Sequence, residues 1–409
     1  MKKLLLLIII FFIGANTINA QISAEEQTLL ENLEAAKNAK DISELDYYKG
    51  YSRALFPLFA HYYSTGQYAK CVEITKEVLR MFELLVGRYD ESYAQFEAYL
   101  AKMYTQMGMY DDALATYESM RQTYQNAPKI EQPHLYASCI SGMGTLYMMC
   151  GKYQEAIRYG FEALDIIEKY SVDKIYKTEA YSVLGTSYTG AGQYKEAEKY
   201  MLSALSCAPK EDVIYGQTLN NIGLLYYRMG LYDKSMDYYK QAYEVKKRLL
   251  SEKHPDHGTT LSNIGLASHC LGNYAEAEKY LLQAIEFQKE LQENNPRPYA
   301  SSLMNLGFLY TDMGDYDKAL YYVHTGAEIL GKILGEDGHL DYATHLFSLG
   351  RINMSKGDYA NAALYGEKAL AIQQKQSQKH PESVQVLILL GKTHIMTQEY
   401  KRAQELLSE

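Results

Sequence analysis

Asn221, Asn263 and Asn305 stand 42 and 42 residues apart. A primary amide carries two N–H donors and a carbonyl acceptor. A row of amides at one constant interval has the chemistry to pair with the backbone of an extended polypeptide. The same amides have the chemistry to bond between neighbouring segments of their own chain, and the residues alone leave both uses open. Asn220, Ser262 and Met304 precede them, and Leu224, Leu266 and Phe308 follow three residues later, so polar and apolar side chains flank the row. Ser348 and Leu389 take the next two places in the register, so the amides cover three steps only.

Other constellations are weaker. His254-Pro255-Asp256-His257 holds two imidazoles near a carboxylate, but the segment has the composition of a turn, and neither an HExxH pattern nor a Cys/His cluster accompanies it. Gly142, Gly144 and Gly151 are not followed by the Lys-Ser/Thr that a phosphate loop requires. The cysteines, Cys71, Cys139, Cys150, Cys207 and Cys270, are odd in number and contain no CxxC, so no disulfide framework is implied. Cys139 and Cys150 are too far apart on one expected helix to bridge locally. No catalytic residues, metal ligands or cofactor-binding residues emerge, and the chain reads as a non-enzyme.

The elements that must position the amides announce themselves by a beat. Gly-Xxx-Tyr recurs with its tyrosine at Tyr68, Tyr110, Tyr153, Tyr194, Tyr232, Tyr274, Tyr316 and Tyr359, and a ninth copy, Gln398-Glu399-Tyr400, lacks the glycine. Successive tyrosines are 42, 43, 41, 38, 42, 42, 43 and 41 residues apart. Such a period marks a stack of supersecondary units. Three residues after each tyrosine stands a small residue: Cys71, Ala113, Ala156, Ala197, Ser235, Ala277, Ala319, Ala362 or Ala403. Three further on come Tyr159, Tyr200, Tyr238, Tyr280, Tyr322 and Tyr365, and four beyond those a second small residue. These intervals describe one face of an α-helix.

A second set precedes the turn. Gly144, Gly185, Gly223, Gly265, Gly307, Gly350 and Gly391 fall seven residues before the turn position, with Ala101 in the second copy and Phe59 in the first. Three residues after them stand Tyr62, Tyr104, Tyr147, Tyr188, Tyr226 and Tyr310, with Ser268, Asn353 and His394 as exceptions. The unit is therefore a first helix closed by a glycine that tolerates the left-handed conformation, a tight turn and a second helix. A glycine inside a helix costs about 1 kcal/mol relative to alanine. Its recurrence points to a place where packed helices leave no room for a side chain, with the tyrosines filling neighbouring holes. Of 41 tyrosines, 21 occupy these repeat positions and Trp is absent, which argues against an aromatic sugar-binding platform.

These residues resemble the tetratricopeptide repeat in its long form of about 42 residues, as in the kinesin light chain family, here of an exported bacterial type. The stretch Lys253-His254-Pro255-Asp256, Thr259 to Gly265 and Gly272-Asn273-Tyr274-Ala275-Glu276-Ala277 carries the resemblance most fully, and His380-Pro381-Glu382-Ser383 and Asn295-Pro296 echo the inter-repeat turn. The resemblance spans about residues 45 to 409 and implies an all-α, right-handed superhelical solenoid of antiparallel helix pairs. Eight pairs and the start of a ninth are expected, preceded by a capping helix within residues 21–44. It further implies that first helices line a concave groove and that Asn221, Asn263 and Asn305 contact the backbone of a bound peptide. Arg351 and Lys392 are the cations that follow a repeat glycine, which speaks against a groove built to clamp a terminal carboxylate in the central repeats.

Residues 1–20 read as a secretory signal peptide: Lys2 and Lys3, an apolar run from Leu4 to Ile13, and a small, polar tail ending at Ala20. The run is shorter than the roughly 20 residues a bilayer demands, and no cysteine follows it for a lipid anchor. Export to the periplasm or beyond is expected, with no membrane insertion after cleavage. Removing Lys2 and Lys3 takes the formal charge from -9 to -11, and no basic block marks nucleic-acid binding. The partner expected is a protein or peptide. The chain stops nine residues after Tyr400, short of a full second helix, and so reads as a fragment. By family analogy such an array precedes a caspase-like (CHAT-type) protease or a signalling module, which would make it a sensory arm; the main expectation is a secreted scaffold for protein–protein interaction.

Overall fold

The computed structural model describes residues 22–37, 44–64, 67–85, 87–88, 91–126, 130, 132–250, 254–289, 292, 296–335, 340–376 and 383–408. The expected signal peptide lies outside them. Among the described residues there is no strand. The helices are α1 Ile22–Lys37, α2 Glu44–Ser64, α3 Tyr68–Leu85, α4 Glu91–Met107, α5 Tyr110–Asn126, α6 Pro133–Met149, α7 Tyr153–Lys169, α8 Ile175–Gly190, α9 Tyr194–Cys207, α10 Val213–Arg228, α11 Tyr232–Leu249, α12 Pro255–Cys270, α13 Tyr274–Lys289, α14 Pro296–Asp312, α15 Tyr316–Leu334, α16 Leu340–Lys356, α17 Tyr359–Gln376, α18 Ser383–Met396 and α19 Tyr400–Ser408. Every second helix begins at the tyrosine of the beat. The fold is an all-α tandem of helix hairpins. It divides into two compact units, residues 1–257 and 258–409. None of the described helices is long and apolar enough to cross a membrane.

The turn within most of the hairpins follows from a glycine. Gly108, Gly151, Gly192, Gly230, Gly272, Gly314 and Gly357 have φ between 72 and 86°. That conformation lets the residue after the glycine donate its N–H back to the first helix, six residues closing a Schellman motif. Lys152 donates to the carbonyl of Tyr147 at 2.9 Å, Gln193 to Tyr188 at 2.8 Å, Leu231 to Tyr226 at 2.9 Å and Asp315 to Tyr310 at 2.9 Å. In the last hairpin Gln398 takes the glycine's place with φ 62°, and Glu399 still bonds to His394 at 2.8 Å. Proline starts α6 and α14, where its preset φ suits the first helical position.

From α6 onward, the glycine inside the first helix marks the closest approach to the neighbouring helix. A Cβ on Gly265 would lie 2.7 Å from Cγ of Leu281 and 3.2 Å from the carbonyl oxygen of Ala277. One on Gly185 would lie 2.7 Å from Cγ of Met201, and one on Gly307 would collide with Cγ2 of Val323. The side chain over the glycine therefore sits seven residues after the tyrosine of the beat, not six as the tyrosine pattern suggests. Two hairpins carry glycine at that seventh place, Gly160 and Gly366. There the next hairpin supplies the knob: Val183 onto Gly144 and Leu389 onto Gly350.

The tyrosines expected in these holes stack on each other instead. Tyr147 faces Tyr159 with ring centroids 5.2 Å apart, Tyr188 faces Tyr200 at 5.5 Å, Tyr226 faces Tyr238 at 5.4 Å and Tyr310 faces Tyr322 at 5.6 Å. Each pair joins the two helices of one hairpin near its turn and adds about 0.5–1.5 kcal/mol beyond its buried area. The phenol then reaches the hairpin before it: Tyr226 donates to Glu198 at 2.6 Å and Tyr310 to Glu278 at 2.5 Å. The small residues three after each beat tyrosine are buried from Cys71 through Ala403. The two that carry a polar hydrogen return it to the first helix, Cys71 Sγ to the carbonyl of Phe59 at 3.7 Å and Ser235 Oγ to that of Gly223 at 2.8 Å. Burial pushes the Cys71 thiol up to about 12, in keeping with a packing role. No disulfide joins the five cysteines, all of them described residues.

Helix α1 packs on α2. Glu26 accepts from the Tyr62 phenol at 2.9 Å and from Lys70 Nζ at 3.1 Å. Burial acts to raise this carboxyl, but the bonds from Lys70 and Tyr62 outweigh it and hold it below the usual glutamate value. Because the folded value is the lower one, the stability it contributes is present above the unfolded value of about 4.3 and is lost as the pH falls through the folded one. Between pH 7 and pH 3, α1 should loosen in the wild type, read as a fall in the amide protection factors of residues 26–36, each taken relative to the intrinsic exchange rate at the same pH. Glu26→Gln should show less change over that window, and identical pH profiles would contradict the assignment.

The interior glycine gives a sharper expectation. Gly307→Ala should destabilise the chain by about 1–3 kcal/mol in urea unfolding, as overpacking does. Adding Val323→Ala should restore part of that loss, a coupling that additive effects of the two changes would refute.

Candidate functional site

Within each unit, successive first helices pack directly on one another: α4 on α6, α6 on α8 and α8 on α10 in the first, α14 on α16 and α16 on α18 in the second. Second helices meet across long side chains, as where Arg121 on α5 reaches Glu162 on α7 at 2.8 Å. One face of each unit is thus lined by first helices, and side chains in a constant register fall in columns along it. The interior glycine sets that register, because its own side is consumed by the hairpin partner and the residues around it turn the other way.

Asn221 lies on α10 in the first unit, and Asn263 and Asn305 lie on α12 and α14 in the second; all three are half-buried. Asn305 Nδ2 donates to Ser262 Oγ on the adjacent repeat at 3.1 Å. One arm of that amide therefore serves the stack itself, and its carbonyl oxygen has no partner among the described residues. The next register residue, Ser348, is buried, 2.8 Å from the carbonyl of Thr344 and 3.1 Å from the Met304 sulfur. Leu389 is buried against Gly350. The amide column ends because its next two members are spent on packing. Leu266 and Phe308 are half-buried beside it, and Arg351 and Lys392 continue that second column into solvent.

The first unit presents a different face. Lys102 on α4 is exposed, and Tyr63, Glu179, Tyr117 and Tyr99 surround its ammonium. The Tyr63 oxygen foremost, with Glu179 beyond it, keeps that group above the usual lysine range. Glu179 also accepts from Ser138 Oγ at 3.0 Å, joining α6 to α8. A count of cations after repeat glycines misses Lys102 because Ala101 stands where the glycine would be. At Gly142, in the register of the asparagines, the Tyr117 ring fills the space a side chain would need.

The His-Pro-Asp-His segment is bonded within the chain. No group of three possible ligands occurs among the described residues. Asp256 Oδ2 instead lies 3.7 Å from Nζ of the buried Lys246, and the Asp256 N–H donates to His254 Nδ1 at 3.2 Å. Burial pulls the Lys246 ammonium below the usual lysine range, with Asp256 opposing it. The cluster ties the end of one hairpin to the start of the next helix, the turn role its composition suggested.

Repeated hairpins, interior glycines and a face of first helices define a class of helical repeat protein, and sequence comparison supplies the family. The tetratricopeptide repeat profile matches residues 136–210, 215–290 and 299–375, more than half of the chain. The chain belongs to the tetratricopeptide repeat family. Among solved structures it is similar to a Rap protein complexed with Competence and Sporulation Factor, at 15% identity and TM-score 0.61, over 87% of this chain and 97% of that one. It is also similar to the Cut9-Hcn1 hetero-tetramer of the APC/C, at 15% identity and TM-score 0.54, over 91% of this chain and 63% of that one. Tetratricopeptide-like repeats of a putative kinesin light chain from Podosopora anserina align at 17% identity and TM-score 0.40, over 50% of this chain and 98% of theirs. At such identities the likeness concerns the fold. No curated protein matches the chain in sequence. The fold is a repeat scaffold suited to protein–protein interaction.

The bond between repeats is open to measurement. A double-mutant cycle on Ser262→Ala and Asn305→Ala should give a coupling of about 0.5–1.5 kcal/mol in unfolding free energy. Strict additivity would show that the two side chains do not bond in solution.

Proposed function

We propose that the chain is an exported, non-catalytic scaffold that holds an extended polypeptide along the first-helix face of its second unit. The observation that carries this reading is the pair Asn263 and Asn305, one repeat apart and half-buried on that face, the latter with an amide oxygen still available. Leu266, Met304 and Phe308 supply apolar ground beside them. A peptide backbone laid there would gain hydrogen bonds at fixed intervals from side chains already held by helices, which lowers the ordering cost of binding. Asn221 offers the same chemistry in the first unit. The Rap protein of similar fold, solved in complex with a factor, supports ligand binding as a use of this architecture. Export rests on the residue pattern of positions 1–20, and its compartment would be the periplasm or the exterior.

The test is affinity. Peptides selected from a random display library on the mature chain should bind Asn263→Ala/Asn305→Ala about tenfold more weakly, the effect of roughly one net hydrogen bond. Helicity by circular dichroism should not change. Asn221→Ala measures the first unit's share separately. Undiminished affinity in the double variant would reduce the asparagines to stack-building residues.

A further inference from the structure

We propose that Glu97, a carboxyl set in the core of the second hairpin, is a proton switch in the first unit: with its proton on, α4 and α5 close on each other, and with its proton off they loosen. The inference concerns the first unit and does not rest on the groove reading. Eleven residues before the turn position, the other hairpins carry leucine, isoleucine or tyrosine, among them Leu55, Ile140, Leu219, Leu261 and Leu303, and never an acid. In α4 that place belongs to Glu97, which is 6% exposed. The helix packs on α3, α5 and α6. Phe96, next to Glu97, meets the rings of Phe56 and Phe59 on α2 with centroids 5.4 and 6.1 Å apart.

The surroundings suit a neutral acid better than an ion. Ser119 on α5 donates its hydroxyl to Glu97 Oε1 at 2.9 Å, and among the described residues no cation pairs with the carboxyl. Glu83 on α3 and Arg88 in the loop after it act on Glu97 from a distance, but both are exposed and they pair with each other at 2.8 Å. Tyr93 on the same helix and Cys139 on α6 face it too, and burial holds both in their neutral forms. Burial raises the Glu97 carboxyl above the usual glutamate value, with Glu83 adding to the effect and the Ser119 bond and Arg88 opposing it.

A protonated carboxyl bonded to Ser119 fits an apolar column. A carboxylate there calls for water or a cation, and the hairpin must open to admit either. Because the folded value is the higher one, the stability tied to this proton is complete below the unfolded value of about 4.3 and is lost as the pH rises through the folded value. The sign is opposite to that of Glu26, so acid frees α1 while it firms α4 and α5. Helix α4 also carries Lys102 to the first-helix face, so the proton on Glu97 sets how firmly that part of the face is held.

Amide protection factors, each taken relative to the intrinsic exchange rate at the same pH, read such a switch helix by helix. In the wild type the protection of residues 91–126 should fall several-fold between pH 5 and pH 8. Glu97→Gln keeps the shape and cannot ionise, so it should remove most of that fall while leaving the pH profile of residues 296–376 as it was. Glu97→Leu, which copies the other hairpins, should do the same and covers the case in which the amide disturbs the fold. An equal pH slope in the wild type and either folded variant would overturn the proposal. Wild-type protection that stays level or rises toward pH 8 would overturn it without any variant. A slope that Glu97→Gln removes from every helix alike would also overturn it, since the proton would then act on the whole chain and not on this hairpin.

Discussion

In the hairpins from α6 onward the two helices approach until one backbone almost touches the other, and the rest of the structure depends on that contact. Glycine in the first helix makes it possible, since a Cβ there would press on the carbonyl of the small residue opposite, as Gly265 does on Ala277 and Gly307 on Ala319. The cost of a flexible residue inside a helix is about 1 kcal/mol. It is offset by a knob from the second helix that packs fully against the backbone. Leu281, Val323 and Met201 are all but removed from solvent. Where the knob itself is glycine, at Gly160 and Gly366, the following hairpin reaches across, and packing within a repeat becomes packing between repeats.

This geometry decides where function can sit. One side of every first helix is consumed by the partner helix and another by its neighbours. What remains is a strip of register positions just before and just after the glycine. On that strip the side chains are free to vary without disturbing the stack, and they do vary: Asn, Ser and Leu in one column, Leu, Phe, Arg and Lys in the next. Some members are drawn back into the structure, such as Ser348 beside Met304 and Asn305 bonded to Ser262. A ligand surface of the kind proposed would share its side chains with the scaffold, so its rigidity and its specificity would have one source.

The beat of glycine and tyrosine made the hairpins legible before any coordinates. A positive φ admits few residues, so the turn glycine is nearly invariant, and the helix after it starts at the same tyrosine in every copy. The knob was not legible. Val, Met, Tyr, Leu and Gly all occupy its place, because any apolar shape that fits will do, while the more uniform tyrosine one residue earlier draws the eye and stacks elsewhere. The asparagine column was legible as a spacing, but its bond to Ser262 joins residues 43 apart that no local pattern connects. Lys102 was hidden by an alanine in the glycine's place.

The central functional claim is that ligand meets first helices and not second ones. The second helices offer the more obvious apolar targets, since Leu282, Tyr321 and Leu364 are 42%, 66% and 46% exposed. Photo-cross-linking with a selected peptide carrying a benzophenone, followed by peptide mapping, separates the two surfaces most directly. Label concentrated on α12, α14 and α16, around Leu266, Met304 and Phe308, is the expected result. Label concentrated on α13, α15 and α17 would contradict it.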